Sequence, residues 1–134
     1  MKTKMTQILG EPIRVRMSQL DDGWDVGIFG GSRTHVGAVT MAEADGRIRT
    51  LEREGHRDAF VSEKWARALA MKLRAPVCVR CGIHYDGVSK AEIAAIVNAC
   101  DGLLEQVIAE EADGETTRQN DGTGRSDREL SCAE

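Results

Sequence analysis

The chain has few of the residues that make most sites recognisable. Five aromatics, Trp24, Phe29, Phe60, Trp65 and Tyr85, are spread over 134 residues, so any planar ligand would be held largely by aliphatic and backbone surface. No basic run with interleaved aromatics is present, which argues against nucleic acid as the partner. No apolar stretch approaches the roughly eighteen residues of a membrane helix, and Met1-Lys2-Thr3-Lys4 leads into no apolar leader segment. A cytoplasmic protein that uses neither nucleic acid nor membrane is expected. Walker and dinucleotide fingerprints are missing, as are His-Glu-x-x-His and a nucleophile elbow, so the common nucleotide, zinc and serine chemistries have no local signature.

The four cysteines, with no export signal, are expected to be thiols. Cys78-Val79-Arg80-Cys81 has redox spacing, but it lies in an apolar run after Pro76 that reads as a strand, where residues three apart point to opposite faces. Cys100 falls on a helix face and Cys132 near the end, so no second pair completes a zinc site.

Charge is unevenly placed. From Glu110 onward there are eight acidic and three basic residues, with Leu130 the only large aliphatic, so this segment cannot offset the entropy of ordering. It carries a net of minus five out of the chain's minus four, leaving the rest close to neutral. The expected organisation is an N-terminal arm over residues 1–10, one α+β domain over 11–110, and a disordered acidic tail over 111–134.

Within the domain, Ile13, Val15 and Met17 alternate with Arg14 and Arg16. After Asp21-Asp22-Gly23 the alternation resumes with Trp24, Val26 and Ile28, a hairpin signature. His35 to Ala42 and Arg47 to Leu51 predict two further strands, the four forming a meander. Ser62 can cap a helix running to about Arg74, with Trp65, Leu69 and Leu73 on one side. Val77 to Ile83 predicts a fifth strand, and Ser89-Lys90-Ala91-Glu92 matches a capping box before a helix with Ile93, Ile96, Val97, Cys100, Leu104, Val107 and Ile108 at core spacing. The order ββββαβα predicts a two-layer α+β fold, a mainly antiparallel sheet with two helices on one face. Arg80 and His84 then share the uncovered face, which a second copy of the chain could bury.

All three histidines sit in glycine-containing turns: Gly30-Gly31-Ser32-Arg33-Thr34-His35-Val36-Gly37, Gly55-His56-Arg57-Asp58 and Gly82-Ile83-His84-Tyr85-Asp86. The first offers backbone amides, two hydroxyls, a guanidinium and an imidazole, a set suited to phosphate. In the second, His56 and Arg57 lie just upstream of a helix and would reinforce its attraction for an anion. The third closes a strand, where ligands often bind, and Asp86 can orient His84 or simply begin a turn. Each also reads as a solvated turn, and a three-histidine zinc centre of His35, His56 and His84 is a rival use of the same side chains.

Taken in order, Gly30-Gly31, Thr34-His35-Val36-Gly37-Ala38-Val39, Gly55-His56-Arg57-Asp58, Gly82-Ile83-His84-Tyr85-Asp86 and the Ser89-Lys90-Ala91-Glu92-Ile93 helix start resemble the small LpdD-type proteins associated with decarboxylases that use prenylated flavin mononucleotide. The resemblance spans about Ile13 to Val107. It implies a non-catalytic carrier, or chaperone, that binds prenylated FMN and passes it to a UbiD-type decarboxylase during maturation; a flavin prenyltransferase is a further candidate partner, and the uncovered sheet face predicts a homodimer. On that reading Gly31, Ser32, Arg33 and His35 take the phosphate, and His56, Arg57, Arg80, His84 and Asp86 surround the remainder. Two alternatives stay open: a metal-dependent enzyme on the three histidines, and a structural decarboxylase subunit that holds no cofactor.

Overall fold

A computed structural model describes residues 1–119. Six strands and two helices follow one another as β1 (Lys2–Ile8), β2 (Glu11–Gln19), β3 (Trp24–Gly31), β4 (Ala38–Ala42), β5 (Ile48–Glu52), α1 (Ala59–Leu73), β6 (Val77–His84) and α2 (Lys90–Gln119). All strands join one sheet in the order β1-β2-β3-β6-β4-β5, antiparallel throughout except where β3 meets β6. The fold is α+β, as the pattern of elements predicts.

The expected meander is replaced by an insertion. β3 and β4 are not neighbours, because β6 returns between them, parallel to β3 and antiparallel to β4. β5 and β6, both antiparallel to β4, run the same way, and α1 carries the chain from one to the other across β4. Such a central strand must be apolar on its covered face, and Val77, Val79 and Cys81 are buried there while Cys78 and Arg80 look the other way.

One core lies between the sheet and both helices. It gathers Ile13, Val15 and Met17 from β2, Val26 and Ile28 from β3, Trp65 and Leu69 from α1, and Cys100, Leu103, Leu104 and Val107 from α2. The opposite face carries Arg14 and Arg16, with Phe29, Val39, Met41 and Arg80, and neither helix covers it.

Several boundaries differ from the sequence expectations. Residues 2–8, expected in an arm, form the edge strand β1, whose lysines are held by α2 through ion pairs of Lys2 with Glu111 and Lys4 with Glu110. α1 begins at Ala59, before Ser62, and Ser62 is buried inside the helix, where its hydroxyl meets that of Thr40 at 2.8 Å. The second helix starts as its capping box predicts, the Ser89 amide donating to Glu92 Oε1 at 3.0 Å and the Glu92 amide to Ser89 Oγ at 3.2 Å. It continues to Gln119, past the expected domain end, and residues 120–134 of the expected acidic tail lie outside the described residues.

The cysteines follow the strand geometry. Cys78 and Cys81, on opposite faces of β6, are both free thiols, as is Cys100. Burial pushes the Cys81 thiol far up and that of Cys100 to about 12. Both stay protonated and inert at neutral pH.

Candidate functional site

The histidine turns, far apart in sequence, meet at one end of the sheet. The ring centroids of His35 and His56 are 4.8 Å apart, and those of His35 and His84 6.2 Å. Each is brought there by a different element: His35 by the loop from β3 to β4, His56 by the approach to α1, and His84 by the last residue of β6.

Glycine makes this convergence possible. A Cβ on Gly82 would stand 1.6 Å from the His35 carbonyl oxygen, and one on Gly31 would stand 1.9 Å from that of His84. Gly31 also has φ +87°, a conformation that side chains with a Cβ rarely adopt. The backbone of residues 35–37 therefore rides over β6, where the Gly37 amide donates to the Cys81 carbonyl at 2.9 Å. For this reason β4 begins at Ala38 and not at His35 as the sequence pattern predicts.

A carboxylate that sequence reasoning left out of the site ties two of the three imidazoles together. Asp58, only 7% exposed, accepts from the Ile83 amide at 2.9 Å through Oδ1. Its Oδ2 lies 3.0 Å from His35 Nε2 and 3.8 Å from His56 Nδ1. The third histidine has its own acid: His84 Nε2 and Asp86 Oδ1 are 2.7 Å apart. That hydrogen bond is the main reason the exposed Asp86 carboxyl sits below the usual carboxylate range. Ser32 joins this second pair, its hydroxyl 3.3 Å from Asp86 Oδ2 and its amide donating to the His84 carbonyl at 2.8 Å. Two donors of the Gly31-Ser32-Arg33 loop are thus committed to His84 and Asp86 at the end of β6. Arg33 and Arg57 are exposed at the edge of the cluster.

Beside the cluster, on the uncovered face, lies an open pocket of ≈ 460 Å³ lined by Arg14, Arg16, Gly27, Phe29, Thr34, His35, Val36 and Arg80. Pairing across the sheet sets this wall, with Arg16 opposite Gly27 and Gly27 opposite Arg80, so the bare glycine backbone separates two guanidinium groups. Arg80 is aimed by Asp25, at 3.2 and 3.3 Å, and lies over the Phe29 ring at 5.8 Å. Of the residues expected to form the site, the structure places His35 and Arg80 on this pocket, groups His56 and His84 behind His35, and sets Gly31, Ser32 and Asp86 around His84. Arg14 and Arg16 were legible only as the polar half of a strand alternation. Their use as a wall depends on β6 lying beside β3.

Three guanidinium groups, an imidazole and a small apolar surface are chemically suited to an anionic ligand with a flat or aliphatic part. Residues 8–112 match the prenylated flavin chaperone LpdD-like domain. The chain belongs to this family. Protein LpdD of Lactiplantibacillus plantarum is 32% identical over 87 residues, covering 61% of this chain and 64% of that protein, so the match spans less than two thirds of the relative's length. Among solved structures, a chain from a chaperone complex for yeast 20S proteasome assembly is similar at TM-score 0.45 and 12% identity, covering 80% of this chain and 97% of its own. Among the described residues, no helix is long and apolar enough to cross a membrane.

Proposed function

We propose that this chain is a non-catalytic carrier that binds prenylated FMN and hands it to a UbiD-type decarboxylase. The observation that carries the reading is the ≈ 460 Å³ pocket in which Arg14, Arg16 and Arg80 meet His35, Phe29 and Val36. Its volume falls within the roughly 300–1,000 Å³ of small-molecule sites. Its chemistry also matches both halves of the ligand: guanidinium groups pair with a phosphate, while the Phe29 ring, Val36 and the Gly27 backbone offer the apolar contact that a prenyl-extended ring system needs. The Gly31-Ser32-Arg33 loop, His56, Arg57, His84 and Asp86 are not among the residues that line this pocket, and His35 is what joins it to their cluster. The decarboxylation chemistry that the bound group supports belongs to the enzyme that receives it.

An open pocket favours release. Micromolar binding, about 8 kcal/mol, retains a ligand yet yields it to a tighter site. On this reading the uncovered sheet face is shared by two copies of the chain, because an exposed strip of Val36 and Met41 beside the arginines leaves the ligand half open to water on a single copy.

Coexpression with a flavin prenyltransferase, followed by absorption spectroscopy and mass measurement of the purified protein, tests the reading. The expected result is a co-purifying flavin chromophore on a particle of twice the 14.6 kDa chain mass. A colourless protein from cells that make the cofactor would contradict it.

A further inference from the structure

Asp58 occupies the N-cap position of α1, the usual place for an aspartate to satisfy helix amides, yet its side chain makes no such bond. Another acid does that work: the Ala59 amide donates to Glu52 Oε2 at 2.8 Å. Asp58 instead turns its carboxylate into the protein. There the Ile83 amide holds Oδ1, and Gly37 leaves the space for Oδ2, since a Cβ on residue 37 would stand 1.7 Å from it. A carboxylate fixed through one oxygen presents the other in a set direction, as hydrogen-bonded metal ligands do.

That second oxygen faces two imidazoles. His35 Nε2, His56 Nδ1 and Asp58 Oδ2 all lie within 4.8 Å of one another, from 17%, 29% and 7% exposed side chains. We propose that His35, His56 and Asp58 bind a divalent transition-metal ion. Metal–donor bonds of about 2.1 Å set tetrahedral donors about 3.4 Å apart, so the 3.0 and 3.8 Å pairs lie either side of that spacing, and side-chain rotation brings the two imidazoles together from within 4.8 Å. Two imidazoles and one carboxylate suit zinc, cobalt or nickel and do not suit magnesium or calcium, which take oxygen ligands. His35 also lines the arginine pocket, so a coordination position not filled by protein opens toward an anion bound there. The set differs from the three-histidine centre considered from sequence: His84 is engaged with Asp86, and Asp58 takes the third place.

The site stands independently of the flavin reading, and the metal alone is the probe. Zn²⁺ affinity of the full chain is measured by competition with a chromophoric chelator, and Co²⁺ loading is followed by visible absorption. His56→Gln alters a partly exposed side chain, and Asp58→Asn keeps an acceptor for the Ile83 amide, so both variants are compared with the parent for helix content and urea midpoint. Cys78→Ser controls for a thiol site on the open face. The expected result is one saturable Zn²⁺ per chain, weakened about tenfold or more in both site variants and unchanged in Cys78→Ser. The proposal is overturned by no saturable binding below about 100 μM, by affinity in the site variants equal to that of the parent, or by loss in Cys78→Ser alone.

Discussion

At the scale of single residues, the site depends on atoms that are missing. Gly82→Ala would drive a methyl against the His35 backbone carbonyl at 1.6 Å, and that oxygen cannot swing away as a side-chain end would. We expect a loss of about 1–3 kcal/mol or more, read as a fall in urea midpoint. Gly102, within α2 and with nothing inside 4 Å of its Cβ position, is the contrast. Gly102→Ala should gain about 0.5–1 kcal/mol by removing the entropic cost of a helical glycine. Equal effects at the two positions would show that the His35 loop is not seated on β6. The sequence marked the histidines because each lies within two residues of a glycine. It could not mark Asp58, whose partners Ile83 and His35 are 25 and 23 residues away. Ser62 misled for a related reason: a serine before an amphipathic run reads as a cap, and only the proximity of Thr40 on β4 makes it a buried hydroxyl pair.

At the scale of elements, local signals succeeded where one segment carried the whole pattern. The β2–β3 hairpin, the two-faced β6 and the Ser89 capping box were legible because alternation and capping act over a few residues. β1 was not, since its lysines and threonines lack an apolar face and the strand is stabilised by β2 and by glutamates at the far end of α2. The position of β6 between β3 and β4 was hidden as well, because it is decided by how α1 packs against the sheet and not by any short motif. The capping box supplies its own test. Hydrogen bonding from the Ser89 amide, with help from its hydroxyl, holds the Glu92 carboxyl below its ordinary value of 4.5. A depressed carboxyl contributes stability above that ordinary value and loses it as pH falls through the lowered one. Ser89→Ala should cost about 0.5–2 kcal/mol at pH 7, and the difference between Glu92→Gln and the parent should shrink on acidification below pH 4.5. Thermal melts across that range check both, and a pH-independent difference for Glu92→Gln would contradict the reciprocal cap.

At the scale of the whole molecule, the fold divides its two faces by task. One face is committed to a core shared by both helices, and the other carries the arginine row, the pocket and the histidine cluster at its end. This division was legible from the alternation of β2 and β6, which sends Arg14, Arg16 and Arg80 away from the apolar residues. Their gathering around one cavity required the strand order. The central claim is that this uncovered face holds a phosphorylated, prenylated flavin. Its most direct test is anaerobic titration of the purified chain with prenylated FMN, in parallel with the Arg16→Ala/Arg80→Ala double variant, followed by flavin absorbance. The account predicts saturable binding to the parent in the micromolar range and a loss of about tenfold or more in a double variant that remains folded. Equal affinity in the two proteins, or no binding to the parent, would contradict it.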